Sequence, residues 1–405
     1  MRDRLKILHV IPAVAPRYGG PSQAVFEMCR AIQRRGTDVL VATTDADGPG
    51  KLPVEIGRPV DYHGTRTIFF QRRWSRRFGY CPPLARWLNG NVGNFDVVHI
   101  HAVFSHPCLA AAGACRRRGV PYIVRPLGSL DPWSMAQKPL RKRLMWHLAA
   151  GRMLREAAAV HYTAREEQLL AERSLGIGHG SVIPLGIEME KLGGAEAAGL
   201  FRQRHHSLGD LPYILALSRI HPKKNLELLL DVFLSLADQP EFEQWRLVIA
   251  GDGEPGYIES LQSLAEERGG ADKVLFPGWL GGELKSSALQ DAALFALTSH
   301  QENFGLAVAE ALACGVPALV SERVNLAPEI NDFGLGWVVP LDRASLSQTL
   351  AQSLRDGDER KRRGRAGQDF VARQFSWAKV AAELADLYES VAGEASRLER
   401  KYATT

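Results

Sequence analysis

LKILHVIPAVAPRYGGPSQAVFEMCRAIQRRGTDVLVAT, residues 5–43, spells a strand, a loop, a helix and a second strand in succession. Leu5–Ile11 is a β-rich apolar run, and Pro16–Pro21 is a Gly/Pro loop. Val25, Met28, Cys29 and Ile32 then recur at helical spacing, which predicts a helix over Ser22–Arg35 with Ser22 as its N-cap and Gly36 ending it. Asp38–Thr43 is the second strand. A strand, helix and strand in so few residues make a βαβ unit, and several such units imply a parallel sheet.

Outward from this unit the grammar repeats. Further strands are expected at Thr67–Phe70, Phe95–His99, Tyr122–Arg125, Ala159–Tyr162 and Ser181–Pro184. A weakly patterned stretch, Gly186–Asp210, intervenes, and the pattern then restarts. Strands are expected at Tyr213–Leu217, Arg246–Ala250, Val274–Pro277, Leu294–Thr298 and Pro317–Val320. Helices are expected at Asn225–Leu236, Tyr257–Glu267, Leu306–Ala313 and Trp377–Ala392, with the final RLERKYATT frayed. The expected organisation is an α/β protein with a Rossmann-like domain at 1–190, a second at 191–375, and a C-terminal helix and tail at 376–405. Ligands of such sheets bind beyond the carboxyl ends of the strands, so the loops after the strands hold the candidate chemistry.

The 405 residues are 45% hydrophobic and 23% charged, an ordinary globular composition. A net charge of +5 suits anionic ligands but is too weak to indicate nucleic acid. Five scattered cysteines form no CxxC pair, which points to free thiols and a reducing compartment. The apolar start is short and broken by His9 and Pro12, so it reads as a strand rather than a signal peptide. The expected location is cytoplasmic.

Four loops carry the candidate site. Gly19 and Gly20 lie between the first strand and helix, where the backbone and a helix N-terminus can approach phosphate. A tight turn is the plainer alternative, and the dinucleotide glycine fingerprint is absent. The run FDVVHIH, residues 95–101, ends an apolar strand with His99 and His101 on one face. His101 is the candidate functional histidine; zinc with His106 would lack a carboxylate or cysteine to complete its ligands. LSRIHPKKN, residues 217–225, places Arg219 and Lys224 where two fixed cations suit a diphosphate and could stabilise its departure without a metal. HQENFGLAVAE, residues 300–310, puts Glu302 in a loop and Glu310 on an apolar helix. There Glu310 needs hydrogen-bond donors, which a ribose diol would supply. The N–H groups of Gly305 and Leu306 could meet phosphate, and a salt-bridged structural glutamate is the alternative.

These motifs resemble the retaining glycosyltransferases of family 4, which have the GT-B fold. The resemblance rests on Gly19-Gly20, DVVHIH, LSRIHPKKN, AGDG (Ala250–Gly253), FPGW (Phe276–Trp279) and the glutamate pair followed by ALACGVP. Gly128-Ser129-Leu130-Asp131-Pro132-Trp133 is similar to the bacterial branch that builds exopolysaccharide or lipopolysaccharide. The resemblance implies two Rossmann-like domains facing each other across a cleft, with the final helix crossing back to the first. It implies a UDP- or GDP-sugar donor, a glycan or lipid-linked acceptor, and neither cofactor nor metal. Arg219 and Lys224 would hold the diphosphate, Glu310 the ribose and Glu302 the sugar hydroxyls. Asn303, Phe304, Gly305 and Leu306 would line the donor, Gly19 and Gly20 would approach it, and His101 would lie near the anomeric carbon. Leu185-Gly186 and Asn325–Glu329 depart from the family pattern, which often has Asn-Gly at the first and a glycine before the glutamate at the second.

Gln71–Phe78 and Leu140–His147 interleave basic and aromatic residues, as surfaces that bind anionic lipid do. They suggest a peripheral position on the inner face of the cytoplasmic membrane; a solvated charged face is the alternative. Four other readings stay open. A nucleotide-sugar epimerase would alter the free donor without an acceptor, and a nicotinamide oxidoreductase would bind NAD. A metal-dependent transferase using Asp45-Ala46-Asp47 would lose activity on chelation, and a lectin-like module would turn nothing over.

Overall fold

The computed structural model describes residues 4–73, 78–137, 139–192 and 198–403. The chain forms two units, one of residues up to Gly186 together with those from Trp377 onward, the other Ile187–Ser376.

The first unit is built on eight strands: β1 (Lys6–Val10), β2 (Asp38–Thr44), β3 (Pro59–Tyr62), β4 (Thr65–Phe70), β5 (Val97–His101), β6 (Tyr122–Arg125), β7 (Ala159–Tyr162) and β8 (Ser181–Val182). Their order is β8-β7-β6-β5-β1-β2-β4-β3. β3 pairs antiparallel with β4 and the other pairings are parallel. Strands covered on both faces must be apolar, and Leu8, Val10, Val98, Ile100 and Val124 are fully buried in one continuous core. Four histidines share the strands of this sheet at no exposure, His9, His99, His101 and His161.

The second unit has six parallel strands: β9 (Tyr213–Leu217), β10 (Arg246–Ala250), β11 (Val274–Gly278), β12 (Leu294–Leu297), β13 (Ala318–Ser321) and β14 (Gly336–Val339). Their order is β11-β10-β9-β12-β13-β14. Each sheet winds outward in two directions from a central pair, β1/β5 in the first unit and β9/β12 in the second. That reversal leaves a crevice at the carboxyl ends, where ligands of such sheets bind.

The first helix differs from expectation at its start: it runs Gly20–Arg34, and Ser22 lies inside it, buried. Gly19 is the N-cap, with φ 74°, and Pro21 presets the first turn. The last helix continues past the expected Ala392 to Ala403, so the terminal residues through Ala403 are helical rather than frayed. In its own unit it packs against helix Gly20–Arg34 and β5, burying Val380, Leu384, Tyr388 and Val391. Helices Pro82–Asn91, His106–Arg118, Arg165–Leu175, Arg343–Arg355 and Gly357–Gln374 and strand β14 are additions to the elements expected from the sequence. Of the basic stretch Gln71–Phe78, residues 74–77 lie outside the described residues. Arg72 is buried rather than solvated, its guanidinium donating to the carbonyls of Gly48 and Gly50.

Candidate active site

In the second unit the loop after β9 is held by close backbone packing. A Cβ on Gly251 would stand 1.8 Å from the Ser218 carbonyl, and one on Gly253 would stand 2.1 Å from that of Ile220. The AGDG loop therefore lies directly against Ser218–Ile220, which explains its glycines. Arg219 is exposed there, and Lys224 closes a short 3-10 turn, Pro222–Lys224. His221 is held below its ordinary pKa by partial burial and then by the charges of Arg219, Lys223 and Lys224. Positive charge is thus concentrated at this loop.

The loop after β12 is stitched on both sides. The His300 N–H donates to the Lys223 carbonyl (2.8 Å), Glu302 N–H to Arg323 (3.2 Å), and Asn325 N–H to the Glu302 carbonyl (3.0 Å). This fixes Glu302 beside Lys224, whose ammonium it binds. Burial opposes ionisation of the Glu302 carboxyl, but Lys224, Lys223 and Arg219 outweigh it and hold the pKa below the usual range. Gly305 caps helix Leu306–Ala313 at φ 72°, with no side chain bonded to its first turn. The Val308 and Ala309 N–H groups turn back to the Gly305 carbonyl. The turn at Gly305–Leu306 thus suits phosphate oxygens. Phe304 is buried against Phe375, 5.1 Å between rings.

Glu310 is buried on that helix and accepts a hydrogen bond from Lys285 Nζ at 2.6 Å. The alternative left open by the sequence, a salt-bridged glutamate, is therefore present, with a partner that sequence reasoning missed. A carboxylate accepts about four hydrogen bonds, so the lysine leaves room for a diol. Gln301 was also missed: its side chain is buried with both amide atoms unpartnered.

In the first unit Gly19 and Gly20 begin the helix after β1. His101 lies at the end of β5, wholly buried, with Nε2 2.9 Å from His9 Nδ1. The neighbouring bonds settle a tautomer. His161 Nε2 lies 2.8 Å from the Ile183 carbonyl and must donate, so its Nδ1 accepts from His99 Nε2 (3.3 Å). His99 Nδ1 then accepts from the Tyr388 hydroxyl at 2.8 Å. Burial, then Arg125, pulls His9 and His161 down to about 3. His99 and His101 are lowered by burial first, and then by the neighbouring imidazoles and Arg125, so the group is neutral. The His9–His101 pair has one unpartnered nitrogen on each ring, His9 Nε2 and His101 Nδ1. In either tautomer one of these offers a proton and the other a lone pair.

Arg125, paired with His101 across β5 and β6, is fully buried with Nε and Nη1 unpartnered. Glu167 already accepts from Gly128 N–H, Thr163 N–H and Thr163 Oγ1, which fixes the loop after Arg125. The nitrogens of His9, His99 and His101 lie within 4.8 Å of one another, the one such group among the described residues. The Arg125 charge that helps keep these imidazoles neutral works equally against a cation between them. His106 is not in this group; its Nδ1 accepts from the Cys81 N–H.

Two wound parallel sheets, with Arg219, Lys224, Glu302 and Glu310 on the second of them, are the framework expected of a nucleotide-sugar-dependent glycosyltransferase. Residues 200–370 match the family of glycosyl transferases group 1, and residues 19–186 match the glycosyl transferase 4-like domain. The chain belongs to the family 4 glycosyltransferases of the GT-B fold. It is 29% identical to the phosphatidyl-myo-inositol mannosyltransferase of Mycobacterium leprae, over 94% of this chain and 96% of that one. It is 26% identical to the GDP-mannose:cellobiosyl-diphosphopolyprenol alpha-mannosyltransferase of Xanthomonas oryzae, over 96% and 98%. Anabaena HepE, solved with UDP and glucose, superposes with a TM-score of 0.77 at 20% identity, over 96% and 100%.

Proposed function

We propose that the chain transfers a hexose from a UDP- or GDP-sugar to a glycan or lipid-linked glycan with retention of anomeric configuration, without a metal, in cell-surface polysaccharide synthesis. The observation that carries this is the second unit's loop-and-helix array: Lys224 bound to Glu302, Arg219 beside them, and Glu310 one helix turn beyond Gly305–Leu306. GDP-mannose is the first donor to test, because the Xanthomonas relative is named for it.

In this reading Arg219 and Lys224 bind the diphosphate and stabilise the charge it gains as the glycosidic bond breaks, the task a metal performs elsewhere. The Gly305 and Leu306 N–H groups add fixed dipoles. Glu302, ionised at neutral pH, accepts from sugar hydroxyls, and Glu310 accepts from the ribose. Retention follows if the acceptor hydroxyl attacks on the face the diphosphate leaves, giving its proton to a departing phosphate oxygen. His101 holds the acceptor or sugar through its free nitrogen. Gly19 and Gly20 admit phosphate close to the backbone.

Calorimetry with GDP, UDP and NAD, with and without chelator, tests the donor site. One nucleoside diphosphate should bind regardless of chelator, and Glu310→Ala should weaken it about ten- to a hundredfold, the loss of a hydrogen bond to a charged group. Binding of NAD alone, or nucleotide binding indifferent to Glu310, overturns the assignment. Nuclear magnetic resonance of the product then reads its anomeric configuration, and an inverted product overturns retention.

A further inference from the structure

Seven large apolar side chains are exposed among the described residues, and three of them, Leu140, Leu144 and Leu148, fall on one short helical stretch. They are 83%, 59% and 73% exposed, far more than a core-facing leucine would be. The stretch is helix Pro139–Met145 continued by a π-helical turn, Trp146–Ala150. Residues four apart on a helix drift by only about 40°, so the three leucines form one stripe. The wider π turn reduces that drift for Leu148.

The opposite side of the same helix is already used. Trp146 packs on the first unit's core and Ala150 is part of it. Lys142 turns back toward the body, donating to the Ser134 carbonyl and standing 5.5 Å from the Phe104 ring. The leucine stripe is therefore a second apolar face, left over after the first has been buried.

Its surroundings are cationic. Between Asp131 and Glu156 the sequence holds no acidic residue and six Lys or Arg. Arg141 and Arg143 flank the stripe, exposed and without an ion pair among the described residues. An apolar stripe bordered by cations whose apolar stems run alongside it is the pattern of a helix lying in a lipid interface. The leucines enter the acyl boundary while the guanidinium groups meet lipid phosphates. A partner helix of mixed charge would not require a segment stripped of every carboxylate.

We propose that Leu140, Leu144 and Leu148, with Arg141 and Arg143, dock this chain on an anionic bilayer surface, with helix 139–150 lying in the plane of the interface. The proposal rests on the lipid-linked-acceptor reading and specifies the residues that bring the first unit to that acceptor.

The test is co-sedimentation of the full chain with phosphatidylglycerol/phosphatidylcholine vesicles and with pure phosphatidylcholine vesicles. Three proteins are compared: wild type, the triple variant Leu140→Gln/Leu144→Gln/Leu148→Gln, and the double variant Arg141→Gln/Arg143→Gln. All five positions are on the surface, so the fold should survive, and nucleotide binding measured without vesicles checks the donor site independently. Wild type should prefer the anionic vesicles. The triple variant should bind them at least about tenfold more weakly, and the double variant should lose the anionic preference. Equal binding by wild type and triple variant overturns the proposal, as does wild-type indifference to lipid charge. A wild-type dimer that the triple variant converts to monomer, with no vesicle binding, assigns the stripe to a second copy of the chain instead. Failure of vesicle binding with intact nucleotide binding removes this proposal alone; loss of nucleotide binding in wild type removes the donor reading.

Discussion

Glu302 illustrates how one residue's surroundings set its chemistry. Its carboxyl is held low by Lys224, Lys223 and Arg219 against the cost of burial. A carboxyl with a depressed folded pKa stabilises the protein above its unfolded value and loses that contribution as pH falls through the folded value. Glu302→Gln should therefore cost stability at pH 7 and narrow the gap to wild type as the solution is acidified below about pH 4, read by denaturant unfolding. The buried histidines act in the same direction over a different window. Imidazoles with pKa near 3 in the folded chain take up protons near 6.5 only when unfolded. Stability should thus be complete above pH 6.5 and fall as pH drops toward 3, by about 1.4 kcal/mol per pH unit for each such imidazole. His161→Gln should flatten that slope; an unchanged slope would show that His161 is not neutral in the fold.

Among elements, the two loops of the second unit depend on contacts that glycine alone permits. Gly251 has φ 146° and its missing Cβ is replaced by the Ser218 carbonyl. Gly251→Ala must push the loop bearing Arg219 away, so it should destabilise by several kcal/mol, on the order of 3. Nucleotide affinity, measured by calorimetry below the melting point, should fall with it. Elements with strong periodicity were legible: Leu306–Ala313 has the bounds its apolar spacing predicts, and most strands lie within a residue or two of expectation. Helix Gly357–Gln374 was missed because its sequence, GDERKRRGRAGQDFVARQ, is dominated by charge and has only Phe370 and Val371 as large buried apolar residues. Residue type alone points to Ser22 as the N-cap, whereas the positive φ of Gly19 lets the helix begin at Gly20. The candidate site was legible where chemistry broke an apolar pattern, as at His99, His101 and Glu310. His9 gave the same signal between Leu8 and Val10 and was read only as an interruption. Lys285 gave none, because a lysine on an amphipathic helix is ordinary until its partner across the fold is known.

At the scale of the molecule, the chain enters the second unit once, at Ile187, and leaves it once, at Ser376. Residues 187–376 contain a complete six-stranded sheet with its own core. Expressed alone, this segment should fold and still bind the nucleoside diphosphate, more weakly than the full chain by the share that the Gly19–Gly20 backbone contributes in the proposed reading. A fragment that melts without cooperativity would show that the first unit is needed to hold it together. The first unit is not self-sufficient in the same way. Ending the chain after Ser376 removes Val380, Leu384, Tyr388 and Val391 from its core and leaves His99 Nδ1 without its donor. Such a truncation should lower the melting temperature of the first unit's transition and leave the second's in place, as resolved by calorimetry. No helix among the described residues is long and apolar enough to cross a membrane.

That returning helix also sets an order on the making of the protein. Residues up to Gly186 leave the ribosome before the second unit, yet the helix that completes their unit is made only after the whole of the second. The nascent first unit must wait through the synthesis of the whole second unit with one apolar face open, during which it is a natural client for chaperones. A message cut short before Trp377 yields a donor-site unit that is finished attached to one that is not, and proteolysis can tell the two apart. That helix is in this sense a seal: it closes the first unit only once the second has been made.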